Sequence, residues 1–425
     1  MTGTARTAWT LSLVAAVIGA CAILGGLYGL RIGTNGNFMQ MASLNGHLHL
    51  ARQTTRLIDQ HFADEVQWDE AIYQGAIPGM LATLDPHSTF LDTENFHAMR
   101  ERERGSYAGI GVQVIHFGNQ NLIDFALPAT PAFEAGIRPG DVIEMVDGTP
   151  VNRVPVEEVA SRLKGPAGTN VGLSLSREGS NRWIEVNLVR QVIRRPTIPT
   201  RLLFEDGTAY LHLTSFGENT PEELEEALVS LGRDGMRGLI LDLRGNKGGL
   251  LSAGVQVAGH FLERGQSVVS HRGRASEERH YRAKSDNPDL EHPIVVLVNC
   301  SSASASEIVA GALQDHDRAL IAGSDTFGKG LVQSVFSLPE STGMVLTTAR
   351  YYSPSGRLIQ RPYGSIARSE YFSEPCREQY RPQHEMARLT DGGRKVYEFG
   401  GIAPDVEIED LQGTALQQLV NRHRA

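Results

Sequence analysis

Continuous apolar runs rich in β-branched residues alternate along this chain with stretches whose apolar residues recur at helical spacing. The clearest run, IVVLV at 294–298, reads as a buried strand. A turn of small polar residues at 299–304 leads into a helical pattern over 305–313. Glu307 falls in its first turn, where the helix dipole favours an anion. A short strand follows at 319–322, then a tight turn at 326–330 and a strand at 331–336. Upstream, TAYLHL at 208–213 is a strand. A helix over 220–231 opens with Thr220, Pro221 and Glu223, the spacing of a capping box. GLILDL at 238–243 is a further buried strand, and a glycine-rich turn at 244–249 enters a helix over 250–261. Strand, turn and helix in this repeated order predict an α/β core.

The N-terminal part reads differently. A helix is expected over 44–62, and a second helical stretch over 68–84, broken at Pro78. Residues 105–188 carry short strands, at 171–177 and 183–188 among others, with one helix at 156–163. The charged segment 267–293 has mixed signs and no interleaved aromatics, which predicts a solvated β-hairpin rather than a nucleic-acid patch. Residues 345–359 read as a strand with a Ser-Pro-Ser-Gly turn. Residues 364–395 are polar and irregular, an insertion without an assigned element, and 411–423 read as a short helix.

Length and charge narrow the class. At 425 residues the chain has room for two or three domains, and a net charge of −9 argues against a nucleic-acid partner. Residues 8–30 contain no charge, enough to span a bilayer with some tilt, and Arg6 and Arg31 flank them. The expectation is a single-pass anchor with the N-terminus in the cytoplasm and the body outside it, periplasmic in a bacterium. A cleaved signal peptide, or a lipid-modified Cys21 after Val17-Ile-Gly-Ala, are the alternatives. The cysteines Cys21, Cys300 and Cys376 show no metal spacing, and neither do the histidines. Cys300 ends a predicted buried strand and is expected to be a small core residue rather than one half of a Cys300–Cys376 bridge.

The candidate chemistry sits in the small-residue turn. A strand-to-helix turn can present a serine hydroxyl beside unpaired backbone N–H groups, which suits a nucleophile and its oxyanion. If extended backbone begins at Lys329, then Lys329, Leu331 and Gln333 share a face. A lysine among apolar and glycine residues can lose its proton near neutral pH, and a glutamine can orient the amine. Ser301, Ser302 and Ser306 are expected to be helix-capping residues. Gly323 to Lys329 also fits G-x-x-x-x-G-K, but Gly330 stands where a phosphate loop needs Ser or Thr, and a strand follows instead of a helix. ATP or GTP binding is therefore rejected. Asp85, His87 and Ser88 lie together in a turn and are expected to serve their own backbone. Asp242 and Arg244 are expected to form a loop-stabilising pair.

SSASASEIVAGALQD with GSDTFGKGLVQ, together with LDLRGNKGGLL, GMLATLDPHSTFLD and the closing Gly401-Ile-Ala-Pro-Asp405, resembles the carboxyl-terminal processing, or tail-specific, proteases. The resemblance implies Ser304 as nucleophile, Lys329 as base and Gln333 as its orienting amide. It also implies an oxyanion hole of backbone N–H groups from Gly248 or Gly249 and from Ala305. Two departures stand out: Cys300-Ser301 where the family more often has an acidic or polar residue and glycine, and Lys247 where it commonly has proline. Residues 105–188 resemble a PDZ domain through Ala132, Ala135, Gly136, Ile137, Gly140, Asp141, Ile143, Val146, Asp147 and Gly148. That likeness assigns a terminal carboxylate to the N–H groups of Gly109, Ile110, Gly111 and Val112, with an extended peptide in the adjoining groove.

The expected architecture is an α/β multi-domain chain. It comprises an anchor at 1–33, a linker and helical region at 34–104, an inserted PDZ domain at 105–190 and a Ser-Lys protease core at 191–425. The expected function is a serine endopeptidase that recognises protein C-terminal tails, with no cofactor and no metal. Its partners would be protein or peptide substrates and the membrane, with a regulatory protein as a further expectation. The alternatives are a PDZ scaffold without activity, and an acyl-CoA enzyme using a glycine-turn oxyanion hole.

Overall fold

The structure, a computed structural model, describes residues 37–180, 182–284, 292–364, 368–373 and 387–408. It divides between Ile77 and Pro78 into two compact units. In the first, helix α1 (Asn37–His61) is followed by a single turn Trp68–Glu70 and a π-helical stretch Ala71–Ala76. Trp68 Nε1 donates to Asp59 Oδ1 at 3.0 Å. The expected break at Pro78 is thus displaced: the irregular backbone is the wider π turn before it. The stretch 8–30 and the helix expected over 411–423 lie outside the described residues. Among the described residues, no helix is long and apolar enough to cross a membrane.

The second unit starts with strand β1 (Thr89–Leu91) and helix α2 (Thr93–Arg104), capped by Asp92, whose side chain accepts from Asn95 N–H at 2.8 Å. Strand β2 (Ser106–Gly109) enters a small antiparallel sheet made of β3 (Val112–Phe117), β4 (Gln120–Ala126), β5 (Val142–Val146), β6 (Thr149–Pro150), β7 (Asn170–Ser176) and β8 (Ile184–Val189). Helix α3 (Val156–Leu163) packs on it through Val159 and Leu163, within an apolar core that includes Ile110, Ile143 and Leu173. Strand β9 (Gln191–Arg194) pairs antiparallel with β2 and closes this part of the chain back on itself.

The core sheet runs in the order β10 (Thr200–Leu203), β11 (Thr208–His212), β12 (Gly238–Asp242), β15 (Ile294–Val298), β16 (Leu320–Gly323) and β21 (Val406–Glu407); every pairing is parallel except β10 with β11. Helices α4 (Thr220–Arg233), α5 (Leu251–Gly259) and α6 (Ala305–Asp315) connect its strands. Helix α6 is buried at every position, so it is the central helix rather than a surface one. The capping box expected at α4 does not form. Glu223 turns away to accept from the backbone N–H of Thr197 at 2.7 Å and of Ile198 at 3.2 Å.

Parallel pairing of β12 with β15 sets Asp242 beside Leu297, so the turns leaving both strands open at the same end of the sheet, where α/β folds place their sites. A second sheet is organised on β18 (Gly343–Tyr352), which pairs with β1, β13 (Ser267–Gly273) and β17 (Leu331–Ser337). Strand β14 (Ser276–Arg282) completes the hairpin expected in the charged segment. Within the insertion the described residues form helix α7 (Arg368–Ser373) and a pair of short strands, β19 (Ala387–Leu389) and β20 (Lys395–Tyr397).

Candidate active site

Ser304 stands where the turn after β15 becomes α6, with φ 58° and ψ −113°, a conformation that L-residues rarely adopt outside functional turns. Two lacings hold that turn against the glycine-rich one after β12. Ser302 Oγ donates to Leu243 O at 2.8 Å, and Ser306 Oγ donates to Asn246 O at 2.9 Å. These serines were expected to cap the helix; they join two loops instead, because the parallel strands bring the loops into reach. Ala303 N–H adds a third tie to Asn246 O at 3.0 Å.

Glu307 is 1% exposed and accepts four hydrogen bonds: from Ser304 N–H at 2.7 Å, Thr326 Oγ1 at 2.6 Å, Gly328 N–H at 2.7 Å and Lys329 N–H at 3.0 Å. Burial pushes its carboxyl up to about 7, against the pull of those donors. One carboxylate therefore fixes the backbone of both Ser304 and Lys329. Tyr351 repeats the tie from the other sheet, its hydroxyl reaching Ser304 O at 3.2 Å and Lys329 O. The sequence shows Tyr351 only as a buried position on a strand, and nothing about it signals these partners.

Lys329 Nζ donates to Gln333 Oε1 at 2.8 Å, and Gln333 Nε2 donates to His87 O at 2.8 Å. Strand β17 begins at Leu331, and an irregularity in its register lies between Val332 and Gln333. Lys329 thus sits in the turn, not in the strand, and still meets Gln333. Burial lowers the Lys329 pKa from the usual lysine range, while Glu307 and Asp85 pull it back up. Ser304, Lys329, Gln333, Gly248 and Gly249 line one cleft of about 360 Å³.

Gly248 was expected to offer its N–H to an oxyanion. It donates instead to Asn246 Oδ1 at 2.8 Å, because the tight 246–248 turn brings that side chain onto it. Gly248 is also the wall of the site: a Cβ there would lie 2.8 Å from Ser304 Cβ and 2.9 Å from Ala305 N. Gly249 bridges to Phe216 in parallel fashion. Ala305 is fully buried at the start of α6, where backbone N–H groups have no helical acceptor.

The turn Asp85–Ser88 serves its own backbone as expected. Asp85 accepts from His87 N–H and Ser88 N–H, each at 2.8 Å, and from Ser88 Oγ at 2.6 Å. Its carbonyl presentation to Gln333 was not legible, since residues 87 and 333 are distant in sequence. Asp242 and Arg244 pair at 2.7 Å. Cys300 is half-buried and disulfide-bonded, which corrects the expectation of a reduced core residue; Cys21 and Cys376 lie outside the described residues.

A second groove, about 480 Å³, runs between β3 and α3. Ile110, Gly111 and Val112 line one side, and Ala160 and Leu163 the other. Gly111 has φ +84°, and a Cβ would meet Thr130 at 2.4 Å, so only glycine fits. Gly109, expected to join this set, belongs to β2 opposite Gln191 and is not among the lining residues. Lys164 and Arg195 also line the groove, 5.5 and 5.0 Å from the Tyr107 ring centroid.

Residues 207–366 match peptidase family S41, and residues 126–177 match a PDZ domain. A carboxy-terminal-processing protease of Bartonella bacilliformis is 40% identical over 297 residues, covering 69% of this chain and 68% of its own. The chain belongs to the carboxy-terminal-processing proteases. A second member, from Synechocystis, is 34% identical over 352 residues, 77% of this chain and 81% of its own. Among solved structures, the photosystem II D1 C-terminal processing protease aligns over 87% of this chain and 95% of its own, at 29% identity with a TM-score of 0.43. This carboxy-terminal-processing protease is accordingly a serine peptidase with an α/β core and a PDZ domain.

Proposed function

We propose that the protein captures substrates by their C-terminal tails in the β3–α3 groove and cleaves them with Ser304 and Lys329. The observation that carries this reading is the Lys329 amine, desolvated at the floor of the Ser304 cleft and held by Gln333 at 2.8 Å. Neutral Lys329 takes the proton from Ser304 Oγ as that oxygen attacks the scissile carbonyl. The same amine, now protonated, delivers the proton to the departing amine of the substrate. Water then attacks the acyl ester on Ser304, giving its proton to Lys329, and Lys329 returns that proton to Ser304 Oγ as the acid product leaves. Ala305 N–H, at the positive end of α6, and the Gly249 N–H would hold the oxyanion. Gly248 N–H joins them only if it leaves Asn246.

The groove suits an apolar side chain at the end of the tail, through Leu163 and Ala160, and a carboxylate at the Ile110–Val112 turn, with Arg195 supplying positive charge beside Lys164, which is paired with Glu101 at 2.6 Å. The body of the protein works outside the cytoplasm, held by residues 8–30. The test is cleavage of an unfolded protein with an apolar C-terminus by the full chain, beside Ser304→Ala and Lys329→Ala. Loss of cleavage in both variants supports the reading. Undiminished cleavage in either one removes that residue from the mechanism.

A further inference from the structure

Helix α7 lies in the insertion at 364–395, and its Tyr371 and Phe372 pack on His87 and Phe327. We propose that Tyr371 is a positioning residue for Lys329, its hydroxyl joining two hydrogen-bonded arms, one ending on the Lys329 amine and the other on the Gly330 amide next to it. This rests on Lys329 acting as the base.

The first arm runs through His87. Tyr371 Oη lies 3.1 Å from His87 Nε2. His87 O accepts from Gln333 Nε2 at 2.8 Å, and Gln333 Oε1 accepts from Lys329 Nζ at 2.8 Å. The second arm runs through Gln360. Its Nε2 donates to Tyr371 Oη at 3.1 Å, and its Oε1 accepts from Gly330 N–H at 2.8 Å, the amide that follows Lys329.

With the His87 proton on Nδ1, the one hydrogen of Tyr371, whose oxygen accepts from Gln360, is given to His87 Nε2, and this requires a neutral imidazole. His87 meets that condition: burial first, then the charge of Lys329, brings it down to about 3, with Asp85 opposing and Arg361 and Arg368 assisting. Ring packing fixes the geometry. Tyr371 stands edge-on to His87 at 5.3 Å and to Phe327 at 5.6 Å, with the Arg361 guanidinium 4.0 Å from its centroid. Tyr371 is 3% exposed, whereas its neighbour Phe372, packed on the same cluster, is 43% exposed. The hydroxyl and the packing can therefore be separated by substitution.

The experiment compares kcat and KM against pH for the full chain, Tyr371→Phe, Gln360→Met and Phe372→Leu, on a quenched fluorescent peptide with an apolar C-terminus. Removing the hydroxyl loosens His87, whose carbonyl anchors Gln333, and so loosens the hold on the amine. Tyr371→Phe should lower kcat about tenfold with KM nearly unchanged, and move the acid limb of kcat to higher pH. Gln360→Met should lower kcat in the same direction by cutting the second arm. Phe372→Leu should leave the limb in place. A Tyr371→Phe enzyme with wild-type kcat and an unmoved limb overturns the proposal, and so does an equal shift from Phe372→Leu. A wild-type profile with no acid limb, or activity surviving in Lys329→Ala, defeats the lysine base itself and this proposal with it.

Discussion

Glu307 Oε2 accepts the backbone N–H of Ser304 at 2.7 Å. The same oxygen accepts the N–H of Lys329 at 3.0 Å, so one buried atom spaces the two backbones that carry the proposed nucleophile and base. A glutamine has one acceptor and one donor end, and its NH2 group would face amide donors that need an acceptor. Glu307→Gln should therefore cost about 2–4 kcal/mol of stability through unsatisfied donors. It should also lower kcat by at least about tenfold, read by denaturant unfolding and by peptide turnover.

Gly248 should tolerate no side chain. A Cβ would sit 2.6 Å from Ala303 O and 2.9 Å from Ala305 N, at φ +93°. Gly248→Ala should lower kcat by roughly 10²–10³, the scale of a lost oxyanion donor. Peptide binding to the separate β3–α3 groove should be unchanged by fluorescence anisotropy. Equal losses in turnover and binding would mean a general folding defect.

His87 should govern stability on the acid side. Its folded pKa, about 3, lies below the ordinary histidine value of about 6.5, so the unfolded chain binds the proton first as pH falls. The stabilisation from keeping it neutral is complete above about 6.5 and is lost progressively as pH falls toward 3. His87→Gln should flatten the melting temperature against pH in that window, measured by calorimetry from pH 7 downward. An unchanged slope would exclude His87 as the titrating group.

The β3–α3 groove should read a free carboxylate. A peptide ending in an apolar residue should bind the full chain more tightly than its C-terminal amide, by about tenfold, and the difference should shrink in Arg195→Ala. Equal affinity for acid and amide would assign the groove to another ligand.

Much of the scaffold was legible because local periodicity carries it. The run at 294–298 is strand β15 and the pattern at 156–163 is helix α3, residue for residue. Ser304, Lys329 and Gln333 could be singled out because the family's spacing names them. What was not legible was decided by partners far along the chain, or by the exact geometry of a turn. Glu223 satisfies the backbone of Thr197 besides the side chain of Asn219 at its own helix start, and Ser302 and Ser306 bind the 243–246 turn. Gly248 gives its N–H to Asn246, a choice made by turn geometry that residue type does not encode. Tyr371 lay in a polar stretch without periodicity, and only the folded insertion brings it to His87.

The central claim is that Lys329 holds its amine neutral at working pH. The chain has five lysines, Lys164, Lys247, Lys284, Lys329 and Lys395, so the 13Cε signals of a lysine-labelled sample can be resolved and Lys329 identified by its loss in Lys329→Arg. Titrated in the Ser304→Ala background, where no turnover interferes, the Lys329 signal should show a midpoint well below the ordinary lysine value of about 10.4. A midpoint at or above that value would leave the lysine charged and contradict its role as the base.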